Sequence, residues 1–141
     1  MQLCNPATLQ FALSYIDGVG FGLDLTARDI QQKCKENRHP WEIAKGFDHS
    51  APISKFIPFE GLDADNINIV TKLNGEVVQD GNTKDLLFSF QDIIVYLSQY
   101  FTLQQGDYIF TGTPAGVGPI KIGDKLEGFI NGTKLLKCDV K

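Results

Sequence analysis

Apolar and polar positions alternate with period two around Asp24: Val19, Phe21 and Leu23 fall on one side, Gly20, Gly22 and Asp24 on the other. That spacing predicts a strand with one packed face and one nearly bare face, with Asp24 on the bare side. Glycine at both positions ahead of Asp24 leaves room for a metal or a small anion to approach the backbone. Next, Thr26 reads as an N-cap with Asp29 as its capping-box partner, and Ala27, Ile30 and Cys34 as the buried stripe of a helix ending near 37–40. On that helix Arg28 and Gln31 are three apart and project from the same side.

Further along, residues 67–73 and 76–79 flank Asn74-Gly75, and residues 125–130 and 133–140 flank Asn131-Gly132. Each pair predicts two strands joined by a two-residue type I′ turn, so the chain holds antiparallel sheet. Between the hairpins, Ser89 and Asp92 form a capping box, and Phe90, Ile93, Ile94, Leu97 and Phe101 follow the rhythm of one amphipathic helix whose stripe is core. Residues 104–107 turn the chain into a short predicted strand, 108–111, which runs into a glycine-rich loop, 112–119. After Trp41-Glu-Ile-Ala-Lys-Gly-Phe47, a polar, proline-punctuated stretch through Pro52 and Pro58 reads as irregular connection around short strands. Two clear helices and hairpin connections favour an α+β fold with a mainly antiparallel, curled sheet over a doubly wound one.

With 141 residues, 43% hydrophobic and 21% charged, the chain has the size of one globular domain with a real core. Its net charge of -4 argues against a footprint for nucleic acid or for an anionic membrane. No apolar run approaches the ~18 residues of a membrane span, and residues 1–10 carry no secretory signal. Cys4, Cys34 and Cys138 are odd in number and widely spaced, which fits a reducing, cytoplasmic setting rather than a disulfide framework or a zinc site. In that setting the glycosylation match Asn131-Gly-Thr133 is idle.

Three places could carry chemistry. Asp24 and Arg28 stand at the strand–helix junction, where Asp24 is either a ligand or the partner of Arg28 in a local ion pair. Lys45 lies in a locally apolar stretch with Ala44, Gly46 and Phe47, and a partly buried lysine must find an anion or lose its charge. The loop 112–119 offers Thr113 and three glycines, but it lacks the lysine and following helix of a phosphate loop, so a structural turn competes with a binding loop. His39 and His49 read as loop residues, and Asp63 and Asp65 as a solvated turn.

Taken together, Leu23-Asp-Leu-Thr-Ala-Arg-Asp-Ile-Gln31, Pro40-Trp-Glu-Ile-Ala-Lys-Gly-Phe-Asp48, Leu73-Asn-Gly-Glu-Val-Val-Gln-Asp-Gly-Asn82 and Phe110-Thr-Gly-Thr-Pro-Ala-Gly-Val-Gly-Pro119 resemble the fumarylacetoacetate hydrolase family, in order and spacing, from about Ala12 to Val140. Within it the chain is most similar to the small acylpyruvate hydrolase branch, which includes oxaloacetate decarboxylases or tautomerases and diene-dioate isomerases. The resemblance implies a sheet curled into a pseudobarrel, a Mg2+ or Mn2+ ion with Asp24 as a ligand, and a small-molecule 2-keto acid substrate. It further implies Arg28 and Gln31 lining the substrate site, Lys45 binding the 2-keto acid end and steadying an enolate, Thr113 on the substrate carboxylate, and homodimers.

The family also places a Glu-x-Glu pair of metal ligands and a His and Glu acid–base dyad before the segment that begins at Ala12. No Glu-x-Glu occurs in this sequence. The chain is therefore expected to be a single, N-terminally incomplete catalytic domain over residues 1–141. Two readings follow: a metal-dependent hydrolase or lyase cleaving acylpyruvate-like 2-keto acids, with decarboxylation, tautomerisation or isomerisation as alternatives through the same enolate, or a non-catalytic remnant that keeps the fold.

Overall fold

A computed structural model describes residues 6–141, with side chains from residue 11 onward; Cys4 and most of the segment read for a secretory signal lie outside the described residues. After a 3-10 helix, Pro6–Tyr15, come β1 (Gly18–Val19), α1 (Arg28–Asn37), α2 (Glu42–Lys45), β2 (Ile57–Pro58), β3 (Asn68–Leu73) and β4 (Glu76–Asn82). A 3-10 turn, Thr83–Asp85, leads to α3 (Phe90–Ser98), β5 (Lys125–Ile130) and β6 (Thr133–Asp139).

The four long strands form one antiparallel sheet in the order β4-β3-β5-β6. Both Asn-Gly turns are where the sequence put them: φ is 53° and 90° at Asn74 and Gly75, and 47° and 77° at Asn131 and Gly132, the paired positive values a type I′ turn needs. Bulges between Thr71 and Lys72 and between Gly128 and Phe129 raise the local twist. The α+β, antiparallel expectation is borne out, and among the described residues the sheet has β4 and β6 as open edges.

Phe21 and Leu23 point inward as their alternation requires and pack with Ile67, Leu126, Ile130 and Leu136 in the main core; burying each such side chain contributes about 1.5–3 kcal/mol. The extended stretch beyond β1 pairs with residues 50–54 through Leu23 N–H to Pro52 O at 2.9 Å, Leu25 N–H to Ser50 O at 2.8 Å and Ser54 N–H to Phe21 O at 2.9 Å. A smaller cluster joins Ala12 to Ile94 of α3.

Four expectations need correction. Thr26 does not cap α1: the helix starts at Arg28 and Ala27, which has no side-chain acceptor, takes the cap position, while the Thr26 hydroxyl accepts from a lysine ammonium. The buried face of α1 carries Gln31 and Cys34 rather than Ile30, a buried amide being tolerable where a guanidinium satisfies it. Residues 108–111 form no strand; their backbone pairs with none of the strands, and Tyr108 instead stacks on Phe56 with ring centroids 5.0 Å apart. α3 ends at Ser98, and Phe101, beyond its C-terminus, stands 62% exposed rather than completing the stripe. Within 41–47, where sequence spacing assigned no element, α2 is a short helix.

Candidate active site

Two backbone links bring the candidate residues together. The pairing of residues 21–25 with 50–54 holds Asp24 at the end of an extended segment, and Ala27 N–H to Ala44 O at 3.0 Å lays α2 against the start of α1. Lys45, in the last turn of α2, then reaches back. Its Nζ donates to Asp24 Oδ1 at 2.6 Å and to Thr26 Oγ1 at 2.9 Å.

The two side chains of this ion pair are 35% and 53% exposed for Lys45 and Asp24. Such pairs contribute only about 0–1 kcal/mol, so either partner can turn to a ligand at little cost to the fold. Arg28 is not the partner of Asp24. Its Nη1 donates to Gln31 Oε1 at 3.1 Å, which fixes guanidinium and amide side by side at the helix start, as their spacing predicted. The other ion pair among the described residues is Lys134–Glu127, on the sheet.

The bare face of the first strand is not open space. A methyl at Gly22 would come 2.6 Å from the Phe110 ring, and one at Gly20 would come 3.1 Å from the Phe56 ring. Aromatic rings, not a ligand, occupy the room those glycines leave, because stacking there removes apolar area from water. Phe110 thereby brings the approach to the loop 112–119 against the extended segment that carries Asp24. Thr113 itself bonds neither Asp24 nor Lys45; its Oγ1 accepts from Gln79 Nε2 at 2.9 Å. The structure thus brings Asp24, Lys45 and Thr26 into direct contact, pairs Arg28 with Gln31, and ties Thr113 to β4. Thr26 and Gln79 were not anticipated, since both contacts span pairings that local spacing does not encode.

For a divalent ion the donor set is short. Among the described residues no three of His, Cys, Asp and Glu cluster, and the one carboxylate at the site already holds an ammonium. Magnesium and manganese prefer about six oxygen donors. These residues alone do not fit such an ion.

Two open depressions, of about 370 and 350 Å³, lie instead around the Asn74 turn. The carboxylates of their lining are engaged by neighbours: Asn74 Nδ2 donates to Asp124 Oδ1 at 2.9 Å and Lys134 Nζ to Glu127 Oε1 at 2.9 Å. Those bonds hold the Asp124 and Glu127 carboxyls below their ordinary range. Architecture, not a reactive group, accounts for them.

Residues 3–141 match the family model described as fumarylacetoacetate (FAA) hydrolase C-terminal. Relatives include oxaloacetate tautomerase FAHD1, mitochondrial, of Homo sapiens, 43% identical over 92% of this chain and 59% of its own length. Oxaloacetate tautomerase YcgM of Escherichia coli is 45% identical over 93% of this chain and 61% of its own. Fumarylpyruvate hydrolase from Pseudomonas aeruginosa, solved with Mn2+ and pyruvate, superposes with a TM-score of 0.87 at 38% identity, over 94% of this chain and 57% of that one. The chain therefore spans about three fifths of the length of these relatives.

Proposed function

Because the chain belongs to the fumarylacetoacetate hydrolase family, whose members matched here carry hydrolase and tautomerase names, we propose that it acts on acylpyruvate-like 2-keto acids through an enolate. The observation that carries this reading is the half-exposed Lys45 ammonium, held by Asp24 at 2.6 Å and Thr26 at 2.9 Å.

On this reading the 2-keto acid oxygen that becomes negative is met by this cation, and a preorganised charge there stabilises the transition state more than the ground state. Lys45 thus binds and steadies the keto-acid end. Arg28 and Gln31, locked to each other, line the substrate, and Thr113 contacts the carboxylate. In cleavage, water adds to the distal carbonyl, the carbon–carbon bond breaks toward the enolate, and a proton returns to carbon. In tautomerisation only the proton moves. A divalent ion, with Asp24 as one of its ligands, would act as a Lewis acid; it enters the proposal only for a site completed by chain outside these 141 residues, as does an acid–base pair.

The lone carboxylate favours a second reading, a family member that keeps the fold without turnover. A panel of acylpyruvates, oxaloacetate and diene-dioates, assayed with added magnesium, separates the two. Enolisation or cleavage that disappears in Lys45→Met supports catalysis; no turnover on any of them supports the second reading. Association of two copies is part of the proposal, supported by exposed aromatic side chains such as Phe88, Tyr100 and Phe101. No helix among the described residues is long and apolar enough to cross a membrane. Free Cys34 and Cys138 support a reducing compartment, with the cytoplasm proposed.

A further inference from the structure

Gln79, in β4, reaches three groups at once. Its Nε2 donates to Pro114 O at 2.9 Å and to Thr113 Oγ1 at 2.9 Å, and its Oε1 accepts from Thr71 Oγ1 at 3.0 Å. The orientation of this amide is determined by chemistry. A backbone carbonyl can only accept, so the nitrogen must face Pro114 O. One of its two protons goes there and the other goes to Thr113. The amide oxygen is left facing Thr71, which is 5% exposed and must donate.

The consequence falls on Thr113. A hydroxyl has one proton, and here its oxygen already accepts, so that proton is free to be given away from β4. The loop also lies close against β4. Gly116, at φ 102°, has no room for a side chain against Val78 O, and Pro114 packs on Gly81.

From this geometry we infer that Gln79 is a positioning residue, which turns Thr113 into a committed hydrogen-bond donor for an anionic oxygen, the carboxylate of a 2-keto acid. The inference rests on the proposed function, which supplies the substrate class; the role of Gln79 itself comes from the bonds around the amide. Without it Thr113 could satisfy itself as a donor to neighbouring carbonyls and offer the ligand nothing.

Pyruvate binding to the whole chain, followed by ligand-observed NMR in Gln79→Glu, Gln79→Leu, Thr113→Val, Thr113→Ser and the Thr113→Val/Gln79→Glu double variant, provides the test. Gln79→Glu removes both amide donors while nearly conserving shape; it and Thr113→Val each weaken pyruvate about tenfold, the size of one charge-assisted hydrogen bond. Thr113→Ser keeps wild-type affinity, because the hydroxyl is retained. In the double variant the loss equals that of Thr113→Val alone, the non-additivity of two residues acting as a unit.

If Gln79→Glu costs the same factor with Thr113 present or absent, or costs nothing, the positioning role is wrong while the proposed function stands. If the wild-type chain shows no saturable pyruvate signal, the proposed function fails and takes the inference with it. Gln79→Leu also strands the Thr71 hydroxyl; should Gln79→Glu not fold, a pyruvate loss in folded Gln79→Leu that vanishes in Thr113→Val supports the inference, and one that persists there overturns it.

Discussion

Lys45 and Asp24 stand 21 positions apart in the chain and 2.6 Å apart in space. The contact exists because one backbone bond, Ala27 N–H to Ala44 O, lays a four-residue helix beside the strand–helix junction.

Since both partners are about a third to a half exposed, breaking the pair should barely touch stability while damaging chemistry. Lys45→Met and Asp24→Asn are each expected to shift unfolding by about 1 kcal/mol or less. Turnover of an oxaloacetate or acylpyruvate substrate should fall by about 10²- to 10³-fold in the same proteins. Thermal melts beside kinetics check this; a large loss of stability with unchanged turnover would assign the pair to the fold.

Magnesium titrated into these 141 residues should bind weakly, with a dissociation constant of about 1 mM or above, because a lone carboxylate supplies few of the oxygens a hard cation needs. Calorimetry reads this directly. Tight one-to-one binding would mean that donors other than Asp24 assemble from the chain itself.

Gly22→Ala and Gly116→Ala should behave differently. At Gly22 the obstacle is the edge of the Phe110 ring, itself 49% exposed and able to swing aside, so stability should change by about 1 kcal/mol or less while the loop ahead of Thr113 shifts. At Gly116 the obstacle is the backbone carbonyl of Val78 and φ is 102°, so about 1–3 kcal/mol of strain should free the loop. Limited proteolysis of residues 112–119, compared between the two variants, separates the cases.

Asp124 gives a pH dependence. Its carboxyl is lowered first by the Asn74 side-chain donor and then by the Lys121 backbone N–H. A carboxyl lowered in the folded state stabilises above its unfolded pKa of about 3.9, and that contribution is lost as pH falls through the lower folded value. The gap in melting temperature between wild type and Asp124→Asn should therefore be widest near neutrality and narrow below about pH 4. A gap independent of pH would show that packing of the turn, not ionisation, is responsible.

Local chemistry made much of the fold legible. Asn74-Gly75 and Asn131-Gly132 specify their turns because few residue pairs accept positive φ at both positions, and Ser89 with Asp92 closes the capping box that starts α3. The alternation around Phe21 and Leu23 identified the core face of the extended stretch beyond β1, although only Gly18–Val19 forms a strand there. The segment 108–111 misled because an apolar, strand-like run needs a neighbour to pair with, and neighbours are not written locally.

By itself, then, the sequence determined the antiparallel hairpins, the capped start of α3, the inward face of the extended stretch beyond β1 and, through four spaced motifs, the family. Only the tertiary structure decided that Asp24 faces Lys45 rather than Arg28, that Thr26 serves an ammonium rather than a helix, that aromatic rings fill the space beside Gly20 and Gly22, and that Gln79 orients Thr113. The division has one physical cause. Turns and caps are satisfied by groups a few residues apart, whereas each of those deciding contacts joins residues that only the packing of separate elements brings within reach.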